Sequence, residues 1–170
     1  SPLLPPRWPD RKAGKPVIEA TREIALDMPV STVFAYVTDY RTWRLWCLGL
    51  ERVEVIGEKA TGVGAQFEGR TRVGKLGVKC RLLVTGWETN RLIAAETTAG
   101  IKSAVRFVLS APAPRRTMLS VHFGYALPGG VVGRTLRPLM SPFVCHAMDH
   151  IEANLREQLP LAGVAQGGRL

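Results

Sequence analysis

The chain has 170 residues, enough for one domain with a sizeable core and too few for two comfortable ones. Apolar residues make up 46% and charged residues 22%, an ordinary globular balance, and no apolar run approaches the ~20 residues needed to span a bilayer. A net charge of +9, from 23 Lys and Arg against 14 Asp and Glu, favours acidic partners. The basic residues are scattered over separate elements with no nucleic-acid-binding motif among them, which argues against nucleic acid.

Three cysteines, Cys47, Cys80 and Cys145, are odd in number, widely spaced and without a CxxC pair. They argue against a disulfide framework or structural zinc and point to a reducing cytoplasm. No charged-then-apolar export signal opens the chain. Residues 1–16, rich in Pro and basic side chains, read as an extended or disordered arm. Residues 17–160 read as the folded domain, and the Gly-rich stretch 161–170 as a flexible tail.

Within the domain, residues 17–27 read as a first strand, with Ile24 and Leu26 on one face. Pro29 opens a helix over 30–38 whose buried face is Val33, Phe34 and Val37. A short second helix near 40–47 carries Trp43 and Trp46. Strands follow near 50–58, 64–73, 76–87, 91–99, 102–111 and 116–127, separated by Gly-, Pro- or Asn-containing turns. Repeated strand and short turn implies antiparallel hairpins. Residues 136–159 form a long amphipathic helix with Leu136, Met140, Phe143, Val144, Ala147, Ile151 and Leu155 as its apolar stripe. No second long helix can receive that stripe, so it must pack on the sheet, which makes the fold α+β with a pocket between sheet and helix.

Alternation says which strand face is wet. Phe67, Cys80, Leu82 and Phe107 share the apolar side of their strands, opposite Arg70, Arg72, Lys79, Arg81 and Arg106. Strand 91–99 is apolar on both faces, so the side taken by Glu96 stays open. The segment Pro128 to Arg134 reads either as a lid at the cavity mouth or as a plain connector, and Pro138 and Pro142 imply a late start or a kink in the last helix.

Four motifs in order resemble the START/Bet v 1-like superfamily, in its polyketide cyclase/dehydrase and lipid transport branch. They are Met28-Pro29-Val30-Ser31-Thr32-Val33-Phe34 through Asp39, Trp43-Arg44-Leu45-Trp46, Gly62-Val63-Gly64-Ala65-Gln66-Phe67, and Trp87-Glu88-Thr89-Asn90-Arg91-Leu92. The resemblance spans about 18–159. It implies a helix-grip fold, a curved antiparallel sheet of about seven strands around the C-terminal helix, enclosing a hydrophobic cavity. It does not imply a single reaction, since members include cyclases and lipid carriers.

Several side chains are candidates for the chemistry. The Gly62-x-Gly64 pair lacks the third Gly and following helix of a dinucleotide loop and reads as a hairpin turn. His146 and His150 have metal-ligand spacing with Asp149 nearby, but the helical wheel puts His146 and Asp149 on the solvent side and leaves His150 at the stripe's edge, so no metal is assigned. His122 falls on the polar side of its strand. Arg22 shares the parity of Ile24, and the hydroxyls of Tyr36, Tyr40 and Tyr125 could reach a cavity. Glu96, Tyr125 and His150 are the candidate acid/base groups; Glu96, if inside, would have its pKa raised by desolvation and could shuttle a proton. The expected ligand wall is Trp43, Trp46 and Phe67 at one side, with Cys80, Leu82, Phe107 and Phe123 from the strands. The helix contributes Met140, Val144, Ala147, Met148, Ile151 and Asn154. With no cofactor assigned, two functions stand. One is a cofactor-independent cyclase or dehydratase acting on a polyketide-type chain, docking to an acidic acyl-carrier protein. The other is a carrier of a lipid or other hydrophobic metabolite, loading at an anionic membrane.

Overall fold

A computed structural model describes residues 17–167, with side chains described as far as Pro160. The arm at 1–16 and the end of the tail at 168–170 lie outside the described residues. The elements in chain order are β1 (Ile18–Leu26), α1 (Val30–Thr38), a 3-10 turn (Tyr40–Thr42), α2 (Trp43–Trp46), β2 (Leu50–Ile56), β3 (Gln66–Val73), β4 (Leu76–Glu88), β5 (Leu92–Ala99), β6 (Lys102–Ala113), β7 (Arg116–Ala126) and α3 (Gly130–Gly167). The strands form one seven-stranded sheet in the order β1-β7-β6-β5-β4-β3-β2, antiparallel throughout. Hairpins join β2 through β7 in sequence. β1 instead pairs with β7 at the far edge, so α1 and α2 carry the chain from one sheet edge to the other. This is the helix-grip architecture, with α3 laid on the inner face.

Burial explains why α3 stays there. Ile24 and Leu119 from the sheet are fully buried in one cluster with Val33 and Val37 of α1 and Leu155 and Leu159 of α3. Covering each such side chain stabilises the fold by roughly 1.5–3 kcal/mol. At the other end of α3, Leu136, Met140 and Val144 pack on Val73 and Tyr125. Arg22, at the β1 edge, adds two ion pairs to the helix, to Asp149 at 2.7 Å and Glu152 at 3.1 Å. These pairs are partly exposed and steer the helix more than they stabilise it. The outer face carries its charges in pairs as well, Arg72 and Arg70 with Glu51, Arg81 with Glu68, and Arg52 with Glu54.

The helix begins at Gly130, not near Leu136, so 130–134 form its first turns and are neither lid nor connector. Pro138 and Pro142 stand inside it, each lacking the N–H of one helical bond. Both are exposed, where water can take over the carbonyls left without a donor. The early start depends on Gly133, which is buried: a Cβ there would sit 1.8 Å from the Pro128 carbonyl oxygen. Both partners are backbone, so neither yields cheaply. Gly133→Ala is expected to cost about 1–3 kcal/mol by overpacking and to fray the first two turns. Urea denaturation and amide exchange at 130–136 check this, and an unchanged midpoint would mean the approach is looser than described.

Candidate functional site

Between sheet and helix lies a cavity of about 320 Å³, within the range of small-molecule sites. One end of it is aromatic. Trp43 and Phe67 meet edge to face at 4.7 Å, Trp46 and Phe107 at 5.7 Å, and Phe34 braces Trp87 at 5.4 Å. Two of the indole N–H groups are taken by the protein: Trp43 Nε1 donates to the Val37 carbonyl (2.9 Å) and Trp46 Nε1 to Thr42 Oγ1 (3.0 Å). With the polar handle satisfied elsewhere, Trp43 and Trp46 offer the cavity their apolar surface.

The sheet supplies the curved wall. Phe67, Cys80 and Leu82 line it from β3 and β4, and Phe107 and Phe123 from β6 and β7. From α3 come Met140, Val144 and Ala147, then Met148 and Ile151 one turn on. Asn154 does not reach the wall; its Nδ2 donates to the His150 carbonyl (2.9 Å) and to His150 Nδ1 (3.1 Å). His150 does not line the cavity either.

The other two acid/base candidates lie off the wall too. Glu96 pairs with Leu83 on β4 and Ala104 on β6, which puts it on the outer face, while Ile93, Ala95 and Thr97 face inward. Tyr125 has the inward parity but lies buried beneath α3 against Leu136, Met140 and Val144, with its ring 5.9 Å from Phe123. Burial there holds its hydroxyl above the usual phenol range, with the nearby Cys145 adding to the effect. Arg22 is spent on Asp149 and Glu152, Tyr40 stacks on Trp43 and Phe67, and His122 stays outside with Thr21 at 3.4 Å. Tyr36 keeps its buried hydroxyl outside the cavity wall, and burial raises its pKa.

Trp87, Ile93, Ala95, Thr97 and Ser103 line the cavity although sequence parity did not single them out. A register shift between Val84 and Gly86 is the reason for Trp87. It leaves Thr85 without a partner on β5, so Val84 and Trp87 both face inward and parity counted through the strand fails. The visible signal was the Gly inside the strand pattern.

Chemically, the wall is close to uniform. Among the described residues that line it there is no Asp, Glu, His, Lys, Arg or Tyr. The ionisable groups are two thiols, and burial pushes Cys47 from 9.0 up to about 12 and raises Cys80 as well. The folded chain therefore keeps the Cys47 proton at pH values where the unfolded chain has lost it. That stabilisation is complete below about pH 9 and is lost as pH rises towards 12. Cys47→Ala should flatten this alkaline fall in urea midpoint. At pH 8, iodoacetamide should modify exposed Cys145 well before Cys47, read by peptide mass spectrometry. The hydroxyls on the wall are those of Thr38, Thr71, Thr97 and Ser103. Thr38 Oγ1 donates to the Phe34 carbonyl (2.7 Å). Thr97 Oγ1 receives the Ser103 N–H (2.8 Å) and lies 3.0 Å from the Ile101 carbonyl.

A sheet gripping one helix around an apolar cavity has a counterpart among known families. Residues 17–159 match the family model described as polyketide cyclase/dehydrase and lipid transport. The chain belongs to that family. No curated protein matches it in sequence. Solved structures with the same fold include a protein of Thermus thermophilus, at 17% identity and a TM-score of 0.69 over 86% of this chain and 99% of that one. A START superfamily protein from Mycobacterium smegmatis gives 16% and 0.66 over 83% and 98%. The Zhui aromatase/cyclase from Streptomyces sp. R1128 gives 16% and 0.61 over 88% and 90%. At these identities the likeness is one of fold. Membership in the polyketide cyclase/dehydrase and lipid transport family, together with the cavity, supports a protein that binds hydrophobic ligands. Among the described residues, no helix is long and apolar enough to cross a membrane.

Proposed function

We propose that this protein binds an apolar small molecule in its cavity and carries it unchanged. The observation that carries this reading is the chemistry of the wall: aromatic and aliphatic side chains, four hydroxyls and two protonated thiols. Proton transfer near neutral pH needs a group titrating there, and thiols pushed upward by desolvation are poor bases. Loading at an anionic membrane is supported by the +9 charge and by exposed Val131 and Val132 beside Arg134 and Arg137 at the start of α3. Native mass spectrometry of protein purified from its own cells tests carriage. A co-purified hydrophobic molecule, released unaltered by organic solvent, is the expected result. Absence of any ligand, together with no flotation on anionic liposomes, would overturn it.

A second reading, cyclisation or dehydration of a polyketide-type chain, is favoured by the family description and by the fold shared with an aromatase/cyclase. With Glu96, Tyr125 and His150 off the wall, it would rest on holding one reactive conformer, which can lower a barrier by up to roughly 7–11 kcal/mol. The basic surface would then meet an acidic acyl-carrier protein. Product distributions from poly-β-keto chains with and without the protein distinguish the two readings: a changed distribution favours the cyclase.

A further inference from the structure

The cavity wall has a direction. Across neighbouring strands, Phe67, Leu82, Thr97 and Ser103 form one band on the inner face, each beside the next. Thr97 and Ser103 are the last inward pair before the β5–β6 turn, and Thr71 on β3 and Cys80 on β4 lie toward the same end. Gly100 of that turn approaches the Cys80 backbone so closely that a Cβ would sit 3.1 Å from Cys80 Cα. Half-buried Thr71 and Ile101 belong to this end, whereas Trp46, Ile93, Phe107 and Val121 at the other end are buried.

Hydrogen bonding within this polar end is already partly committed. Thr97 Oγ1 receives the Ser103 N–H and can donate to the Ile101 or Ser103 carbonyl, at 3.0 and 3.2 Å. It locks the turn, and its donor is used. Ser103 Oγ is different: its residue lines the cavity from the opposite side of that pair, and among the described residues the structure gives the hydroxyl no partner. A hydroxyl in an apolar wall that pairs with nothing in the protein gains most from a ligand oxygen.

We propose that the cavity takes an amphiphile, with a flat apolar body at the tryptophan end and a single uncharged oxygen, hydroxyl or carbonyl, hydrogen-bonded to Ser103 Oγ. The proposal rests on the ligand-binding reading above and names the class of ligand. The oxygen is uncharged because the described residues of the wall include no cation to neutralise a carboxylate or phosphate leaving water. A hydroxyl can donate or accept, so Ser103 serves either ligand form. Thr97 is a positioning residue, holding Ser103 through its backbone N–H.

The test uses the intact protein and three probes of one shape: anthracene, 2-hydroxyanthracene and anthracene-2-carboxylic acid. Quenching of tryptophan emission reports occupancy, since Trp43, Trp46 and Trp87 line the cavity, and calorimetry supplies an independent affinity. Ser103→Ala should weaken 2-hydroxyanthracene by about threefold to tenfold, the worth of one neutral hydrogen bond, and change anthracene by less than about twofold. Ser103→Thr, which keeps the hydroxyl, should restore most of the loss. The carboxylate should bind at least about tenfold more weakly than the alcohol. Equal losses for alcohol and hydrocarbon in Ser103→Ala, or no loss for either, would overturn the Ser103 assignment while leaving ligand binding intact. Tighter binding of the carboxylate would overturn the uncharged-oxygen assignment. If no probe binds the unmodified protein by either readout, the amphiphile proposal and the ligand-binding reading fall together.

Discussion

Leu155→Ala is expected to lower the stability of the fold by about 2–5 kcal/mol, a large part of the roughly 5–15 kcal/mol that holds a domain of this size. Leu155 is 1% exposed and lies where α3 meets both the sheet and α1, in the cluster that holds Ile24, Val33, Leu119 and Leu159. Truncation removes apolar burial and leaves a void that close-packed neighbours fill only in part. The ion pairs of Arg22 cannot compensate, because partly exposed pairs contribute little. The measurement is the urea midpoint with an unchanged m-value, compared with Glu157→Ala on the exposed side of the same helix, where a change within about 0.5 kcal/mol is expected. A loss below about 1 kcal/mol at Leu155 would mean that α3 is not clamped at this end, and the grip would have to depend on the Leu136, Met140 and Val144 cluster.

Ala147→Phe should do the reverse, removing ligand binding while sparing the fold. Ala147 faces the cavity from the middle of α3, with Val144 and Met148 on one side and Ile151 on the other. Its small side chain leaves the space that a ring would fill. Overpacking a close-packed core is costly, but here the added ring enters an existing void of about 320 Å³. Ligand affinity is expected to fall more than about tenfold, or ~1.4 kcal/mol, with a melting temperature within a few degrees of the parent. Titration of an apolar fluorescent probe, paired with a thermal melt, checks both halves. Undiminished affinity would place the ligand outside this cavity.

Much of this architecture was legible from residue order. The strands and turns follow from alternation and from Gly, Pro and Asn punctuation, and α3 from its three-and-four stripe. Parity put Phe67, Cys80, Leu82 and Phe107 on one face, and the structure lines the cavity with them. The stripe did the same for Met140, Val144, Ala147 and Ile151. Strong apolar signals of this kind survive because burial on one face acts over many residues at once. The polar members of the site had no such support. Asn154 looks inward on a helical wheel, but an amide beside His150 four residues earlier finds its partners on its own helix.

Residue order alone therefore determined that an antiparallel sheet must receive one long helix, and which strand faces are apolar. Tertiary structure decided three further things. Pairing with β4 and β6 turned Glu96 outward and Thr97 inward on a strand apolar on both sides. The extra residue at Thr85 brought Trp87 to the wall, because a bulge changes parity without changing composition. The close approach of the Pro128 carbonyl to Gly133 let α3 begin at Gly130, in a stretch whose local Gly and Pro content opposes a helix. In the first two cases pairing with strands distant along the chain outweighed the local pattern. The consequence falls on function: the acid/base candidates left the cavity, and a serine hydroxyl beside a threonine-locked turn took their place on its wall.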